Sequence, residues 1–182
     1  MDPPMSKWWM VVAAGLMVVR TADVETSHPL TIDLQMSNDA RVPGHVVEQS
    51  QDQVTRIFAD AGLAVRWTAT APRFTVHLVS QVLGYARALS PVMGVALRRA
   101  NGSEAQVFFR QVHDFARTCR VDVSTMLAYV IAHEIGHLLL PGNAHSPTGV
   151  MQAGWDKALI RDAARGSLTF TPAQAARIRA SR

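Results

Sequence analysis

Hydrophobic and polar residues in the first part of the chain follow two different periods. Between Leu30 and Met36 every second residue is apolar, which is typical of a half-buried strand. From Pro43 to Gly62 the apolar residues recur at helical spacing instead, and proline suits the first turn of a helix. The pattern therefore predicts a strand followed by an amphipathic helix.

The middle of the chain contains several short apolar segments separated by turn residues. Asn101-Gly102 is a turn signal, and glycines and a proline interrupt the stretch before it, so only a short edge strand fits there. His113 and Asp114 follow the last apolar segment and are interpreted as loop residues. The segments predict four strands, over residues 64–68, over residues 73–80, within residues 82–97 and over residues 105–109.

A long buried helix is predicted in the second half of the chain. Apolar residues recur at helical spacing over 123–139, and Asp122 or Ser124 can cap the start of the helix. The helix should end at Leu139 or Leu140, because Pro141 cannot continue it.

His133 and His137 project from the same face of this helix, because they are four residues apart. Both imidazoles can therefore hold one zinc ion at the roughly 2.0 to 2.1 Å that zinc requires. Glu134 completes the HExxH pattern, in which its carboxylate acts as general base toward a zinc-activated water. The segment predicts a catalytic zinc site, and the alternative is that the short motif arises by chance.

The third metal ligand is predicted to be His145. Gly142 can adopt the left-handed conformation common beyond a helix end, so the chain can turn back toward the metal. Three histidines leave the fourth zinc position open for water, as in catalytic sites. A later glutamate ligand is excluded because no glutamate follows Glu134. Asp156 is the alternative acidic ligand, although an aspartate there is more typical of a helix cap or a surface charge.

The segment HEIGHLLLPGNAHSPTGVM, from His133 to Met151, resembles the zinc signature and Met-turn of the metzincin metalloproteases, especially the matrix-metalloprotease-like and related bacterial members. The family pattern HExxHxxGxxH has its glycine and third histidine two residues earlier than Gly142 and His145. A two-residue insertion at the helix end accounts for both shifts. Met151 falls where the family's methionine forms an apolar floor below the metal, and an ordinary core methionine is the alternative.

The resemblance implies an α+β fold of the zincin or metzincin type. Such a fold has a twisted, mixed, mostly parallel sheet with an antiparallel edge strand, a long active-site helix, a Met-turn and a C-terminal helix. The edge strand binds an extended peptide by backbone pairing, which implies a substrate-binding role for the segment from Gly84 to Val95. Some members carry a tyrosine two residues after the Met-turn methionine, whereas this chain has Ala153. Structural calcium stays undecided.

Residues 1–22 are interpreted as a signal peptide or an N-terminal membrane anchor. Lys7 precedes an apolar run at residues 8–19, which is shorter than an ordinary membrane span. The protein is therefore expected to be secreted or periplasmic, with a membrane tether through this run as the alternative. Residues 23–182 form the predicted catalytic domain, and Thr171-Pro172 is expected to open its last helix.

The composition agrees with a single globular domain. A chain of 182 residues with 48% hydrophobic and 18% charged residues can bury one core and is unlike a disordered protein. The net charge of +4 is modest and its basic residues are spread out, so nucleic-acid binding is not expected. The single cysteine, Cys119, excludes an intrachain disulfide.

Together these observations predict a zinc-dependent endopeptidase that cleaves peptide or protein substrates. His133, His137 and His145 hold one zinc ion, and Glu134 is the catalytic general base. The first alternative is a zinc-binding but proteolytically silent module that binds a peptide or a partner in the same cleft. A membrane-tethered structural protein with an accidental HExxH is the second. The oligomeric state is not predicted.

Overall fold

The computed structural model describes residues 30–81, 92–99, 102–142 and 144–181. Over these ranges the protein is α+β, with five helices and one five-stranded mixed sheet. The strands are β1 (Leu30–Asn38), β2 (Leu63–Trp67), β3 (Phe74–Val79), β4 (Gly94–Arg99) and β5 (Gly102–Phe108). The helices are α1 (Gly44–Asp60), α2 (Phe109–Cys119), α3 (Val123–Leu139), α4 (Lys157–Ala164) and α5 (Pro172–Ala180).

The strands lie across the sheet in the order β2-β1-β3-β5-β4. Neighbouring strands run parallel in every pair except the last, in which β4 pairs antiparallel with β5 at the edge of the sheet. The predicted arrangement, a mostly parallel sheet with an antiparallel edge strand, is therefore confirmed.

One face of the sheet is buried under helices. The register aligns Val76 with Ala105 and Leu78 with Val107, and all four side chains are fully buried. The positions between them carry polar residues such as His77, which are partly exposed. Because side chains alternate along a strand, this pattern fixes which face of the sheet meets the helices. Contacts join α1 to α3 and α3 to both β4 and β5.

The central helix of the core is α3. Its residues from Met126 to Ala132 are almost completely buried. The Asp122 side chain caps its start by accepting hydrogen bonds from the backbone N–H groups of Ser124 and Thr125, at 2.9 and 3.1 Å. The helix ends before Leu140, whose backbone is extended and precedes Pro141. Both predicted boundaries are confirmed.

The segment after β5 differs from the prediction, because it forms helix α2. The interpretation of His113 and Asp114 as loop residues is therefore wrong. Val112 and Ala116 are four residues apart and both are buried, and α2 packs against α3. This short apolar stripe is enough to hold a helix once a neighbouring helix covers it. Helix α4 also lies outside the sequence-based prediction.

Some predictions concern parts of the chain outside the described residues. They are the signal peptide or anchor at residues 1–22, the segment from Gly84 to residue 91, and Asn101 of the predicted turn. In the ranges that the structure describes, no helix is both long and apolar enough to cross a membrane.

Candidate metal centre

Helix α3 brings His133 and His137 together, as the sequence predicts. They lie about one turn apart on the same face of the helix, and their Nε2 atoms are 3.1 Å apart. His133 is buried, whereas His137 is partly exposed toward a cleft. Spacing along one helix is therefore sufficient to converge the first two nitrogen atoms.

His145 completes a cluster of three histidines. Its Nε2 lies 3.1 Å from Nε2 of His137. One ligand atom from each of His133, His137 and His145 lies within 4.8 Å of the others. His145 reaches this position from the loop after α3, where Gly142 adopts the predicted left-handed conformation with φ of +66°. The predicted third histidine is thus brought to the first two.

The cluster has the dimensions of a metal site. Nitrogen ligands at 2.0 to 2.1 Å from a tetrahedral ion are about 3.3 Å apart, close to the observed 3.1 Å between neighbouring Nε2 atoms. The three histidines therefore fit a metal ion.

Burial keeps two of these histidines in the neutral form that metal ions require. Burial lowers the pKa of His133, and its hydrogen bond with Val150 opposes this effect only in part. Burial and the neighbouring histidines lower the pKa of His137 to about 4. A neutral imidazole offers a lone pair, so both side chains are available as ligands near neutral pH.

A backbone carbonyl sets the tautomer of His133. Nδ1 of His133 lies 2.8 Å from the carbonyl oxygen of Val150. Because a carbonyl can only accept, Nδ1 of the neutral ring carries the proton and Nε2 keeps its lone pair. Nε2 is the atom that faces His137. The Val150 carbonyl therefore orients His133 in the way that carbonyls commonly orient metal-ligating histidines.

Glu134 is a buried carboxyl group beside the histidines. Only 7% of its surface is exposed, and burial raises its pKa to about 8. The backbone of β4 approaches it closely at Gly94, where an added Cβ would lie 2.7 Å from Cγ of Glu134. Without a metal this carboxyl is mostly protonated at pH 7, and a cation bound beside it would favour the charged form.

Met151 is fully buried beneath helix α3. An added Cβ on Gly136 would lie 2.3 Å from its Sδ, so the thioether fills the space that this glycine leaves. Gly136 lies between His133 and His137 in the sequence. The Met151 carbonyl also accepts a hydrogen bond from the Ser146 N–H at 3.0 Å, next to His145. Met151 thus joins the helix to the loop that carries the third histidine.

The three histidines and Glu134 line one cleft of about 750 Å³. Edge strand β4 forms one wall with Gly94, Val95 and Ala96, and Trp155 also lines the cleft. Ala153 also lines the cleft, at the position where some metzincins carry a tyrosine.

The alternative metal ligand of the sequence analysis, Asp156, lies elsewhere. Asp156 caps helix α4, because its side chain accepts from the N–H groups of Ala158 and Leu159 at 2.9 and 2.8 Å. Asp156 does not join the histidine cluster. Within the described ranges, no other group of three or more histidine, cysteine or acidic side chains lies close enough to hold a metal ion. His77 lies on a sheet face, with Nε2 3.6 Å from a Glu104 oxygen.

Arg98 is a residue of the site that sequence reasoning missed. From β4, its Nη2 donates to the carbonyl oxygens of His137, Leu138 and Leu140 at 2.7, 3.3 and 2.6 Å. These carbonyls belong to the end of α3, where no further helical turn satisfies them. No sequence signal links Arg98 to the helix, because the contact depends on how β4 packs against it.

No protein-family model and no curated protein sequence matches this chain.

Proposed function

We propose that this protein is a zinc-dependent endopeptidase with a metzincin-like fold, in which His133, His137 and His145 hold the metal and Glu134 is the general base. One observation carries the proposal: three imidazole nitrogens converge beside a buried carboxyl group, in a cleft bordered by an edge strand. Metal binding alone has no need of that carboxyl group, so its presence favours catalysis.

Zinc is the metal that the donor set favours. Imidazole nitrogens suit zinc, and three protein ligands leave a coordination position free for water or substrate. When bound, zinc supplies Lewis acidity that lowers the pKa of water and polarises a carbonyl group. Copper, nickel and iron also accept imidazole ligands, so the metal content of the purified protein is the direct test.

The chain itself supplies proton transfer and orientation. Glu134 accepts a proton from the attacking water and returns it to the leaving amine. The Val150 carbonyl holds the ring of His133 in a fixed orientation, as described above. The burial of Glu134, of whose surface only 7% is exposed, limits the access of bulk water to its proton.

The position of β4 supports a peptide substrate. This strand borders the cleft and pairs with β5 on one side only, within the described residues. Its other edge has backbone groups that an extended peptide can pair with by strand addition. The apolar run at residues 8–19 supports export, so we propose a secreted or periplasmic enzyme, either free or tethered by this run.

The second candidate function is a metal-binding but proteolytically silent module that holds a peptide in the same cleft. Ala153 favours it, because some metzincins have at this position a tyrosine that assists the reaction. Glu134 opposes it for the reason given above. Cleavage measurements separate the two candidates.

The test measures zinc content and casein cleavage by the full chain and three variants. We expect the parent to hold about one zinc ion and to cleave casein. We expect Glu134→Gln to keep the zinc and to cleave casein about 10²- to 10⁴-fold more slowly. We expect His145→Ala to lose zinc. His77→Ala, which removes a histidine outside the cluster, is the control and should match the parent.

Three results contradict the proposal. Parental cleavage by Glu134→Gln rules out the general base, and zinc without any cleavage by the parent favours the silent module. A parent without bound metal means that the HExxH segment is accidental.

A further inference from the structure

Gln174 in helix α5 is a buried polar residue that contacts the loop carrying His145. Only 8% of its surface is exposed. Its Nε2 donates to the Ser146 hydroxyl oxygen at 2.9 Å and to the Ala144 carbonyl oxygen at 3.5 Å. Gln174 thus contacts the residues immediately before and after His145.

The other end of the same amide group belongs to helix α5. Oε1 of Gln174 accepts from the Thr171 N–H at 3.0 Å, and the Thr171 hydroxyl accepts from the Gln174 N–H at 3.3 Å. This reciprocal pair is a capping box, which fixes the first turn of the helix. One amide therefore joins a helix end to the loop that carries His145, and the hydrogen bond from the Thr171 N–H to Oε1 sets which way the amide faces.

The loop needs such support because it has no regular secondary structure next to His145. His145 is exposed, and its neighbour Ser146 is anchored by hydrogen bonds to Met151 and Thr148 at 3.0 and 2.7 Å. Both of these partners belong to the same loop. Gln174 adds an anchor from helix α5 at the two residues that flank His145. Loops without such anchors lose conformational entropy when a ligand orders them, and this weakens binding.

We propose that Gln174 is a positioning residue for the third metal ligand, and that helix α5 presets the position of His145 before metal binds. The inference rests on the metal centre of the proposed function. It predicts that metal affinity depends on an amide N–H that bonds to the neighbours of His145. Partners that orient metal ligands typically change affinity by about 10- to 100-fold when they are removed.

The test uses Gln174→Glu, which keeps the acceptor oxygen for Thr171 and removes the N–H donor to the loop. Glutamate is equally suited to this position of a capping box, so α5 should keep its start. Thr171→Val is the matched control, because it removes the hydroxyl of the capping box and leaves the amide of Gln174 in place. Ser146→Ala removes the hydroxyl on the loop side and serves if Gln174→Glu does not fold.

The readouts are zinc affinity by competition with a chromogenic chelator, the visible absorption spectrum with cobalt as the probe metal, and thermal unfolding of the metal-free protein. We expect Gln174→Glu and Ser146→Ala to bind zinc about 10- to 100-fold more weakly than the parent, with an altered cobalt spectrum. Thr171→Val should keep the parental affinity even if it lowers the midpoint of thermal unfolding.

Parental zinc affinity in Gln174→Glu overturns the inference, and so does an equal loss in Thr171→Val, since the effect then comes from helix capping alone. If the parent binds zinc and either of these two results is obtained, the role of Gln174 is wrong but the proposed function stands. A parent that binds no metal overturns both the metal centre and the role of Gln174.

Discussion

At the scale of single residues, the site depends on small side chains where two elements approach each other. Gly136 leaves space for Met151 beneath the helix, and Gly94 lets the backbone of β4 approach Glu134. Neither glycine has a positive φ, so glycine is favoured at both positions because a side chain would not fit, and not because of the backbone conformation. The orientation of Glu134 therefore depends on a residue in a different element.

We predict that Gly94→Ala lowers cleavage while zinc content stays near the parental value. The new Cβ would lie 2.7 Å from Cγ of Glu134 and displace its carboxyl group, and a displacement of about 1 Å can cost about 100-fold in rate. Casein cleavage and zinc content are measured together. Gly154→Ala is the control, since this glycine also lines the cleft but an added Cβ meets nothing within 4 Å. Unchanged cleavage by Gly94→Ala would contradict the prediction.

At the scale of elements, the two ends of α3 are stabilised differently. Asp122 caps the start from within the local sequence, whereas Arg98 satisfies the carbonyls at the end from strand β4. The first contact joins residues two and three positions apart. The second joins residues about forty positions apart, so it also connects the edge strand to helix α3.

We predict that Arg98→Met destabilises the metal-free protein by about 1 kcal/mol or more, because three helix-end carbonyls lose a charged donor. Arg99→Met is the matched control. Both residues are exposed, but Arg99 pairs with the Glu104 carboxylate at 3.0 Å rather than with helix-end carbonyls, so its loss should cost less than about 0.5 kcal/mol. Urea unfolding measures both. Equal costs for the two variants would show that the helix-end contact adds no stability.

We predict that Asp122→Ala costs about 1 kcal/mol of stability at pH 7, because it removes the cap of α3. The Ser124 hydroxyl and two backbone N–H groups lower the pKa of Asp122 below its ordinary 3.8. A lowered folded pKa means that this stabilisation is present above about pH 4 and is lost as the pH falls through the folded pKa.

The measurement is urea unfolding of the parent, Asp122→Ala and Asp122→Asn from pH 7 down to pH 2.5. The difference between the parent and Asp122→Ala should narrow below about pH 4. Asp122→Asn keeps a capping oxygen without a titratable group, so its difference from Asp122→Ala should be independent of pH. A constant difference between the parent and Asp122→Ala would disprove the role of the carboxylate charge.

At the scale of the whole molecule, the candidate metal centre joins parts of the chain that are far apart in sequence. Helix α5 holds the loop that carries His145 through the hydrogen bond from Gln174 to Ser146. The segment before α5 also holds this loop, because the Thr169 carbonyl accepts a hydrogen bond from the Val150 N–H at 3.0 Å. On the other side, β4 supports Glu134 and the end of α3. Metal binding should therefore stabilise the complete domain and not only the loop.

We predict that zinc raises the midpoint of thermal unfolding and that EDTA reverses the change. At a free zinc concentration 100 times the Kd, binding adds about 2.7 kcal/mol, which corresponds to roughly 5 to 10 °C for a chain of this length. Calorimetry or fluorescence unfolding with and without zinc measures the shift. His145→Ala lacks one ligand, so its midpoint should change much less, and an equal shift in this variant would argue against the three-histidine centre.

Part of this protein follows from the sequence alone, because some geometry is local. A spacing of four residues converges His133 and His137 on any helix, Asp122 caps the same helix, and Pro141 ends it soon after. Alternation of apolar residues likewise predicts β1 and β3. Helix α2 was missed because its apolar stripe is too short to be distinctive without the neighbour that covers it.

Only the tertiary structure decides which distant residues support these local features. The order of the strands brings β4 beside α3, and with it Gly94 and Arg98. Packing buries Glu134 and thereby raises its pKa, which no spacing in the sequence encodes. Gln174 reaches the residues beside His145 only because α5 folds back onto the loop. Sequence patterns report the geometry of neighbours along the chain, whereas burial and long-range contacts arise when the elements pack together.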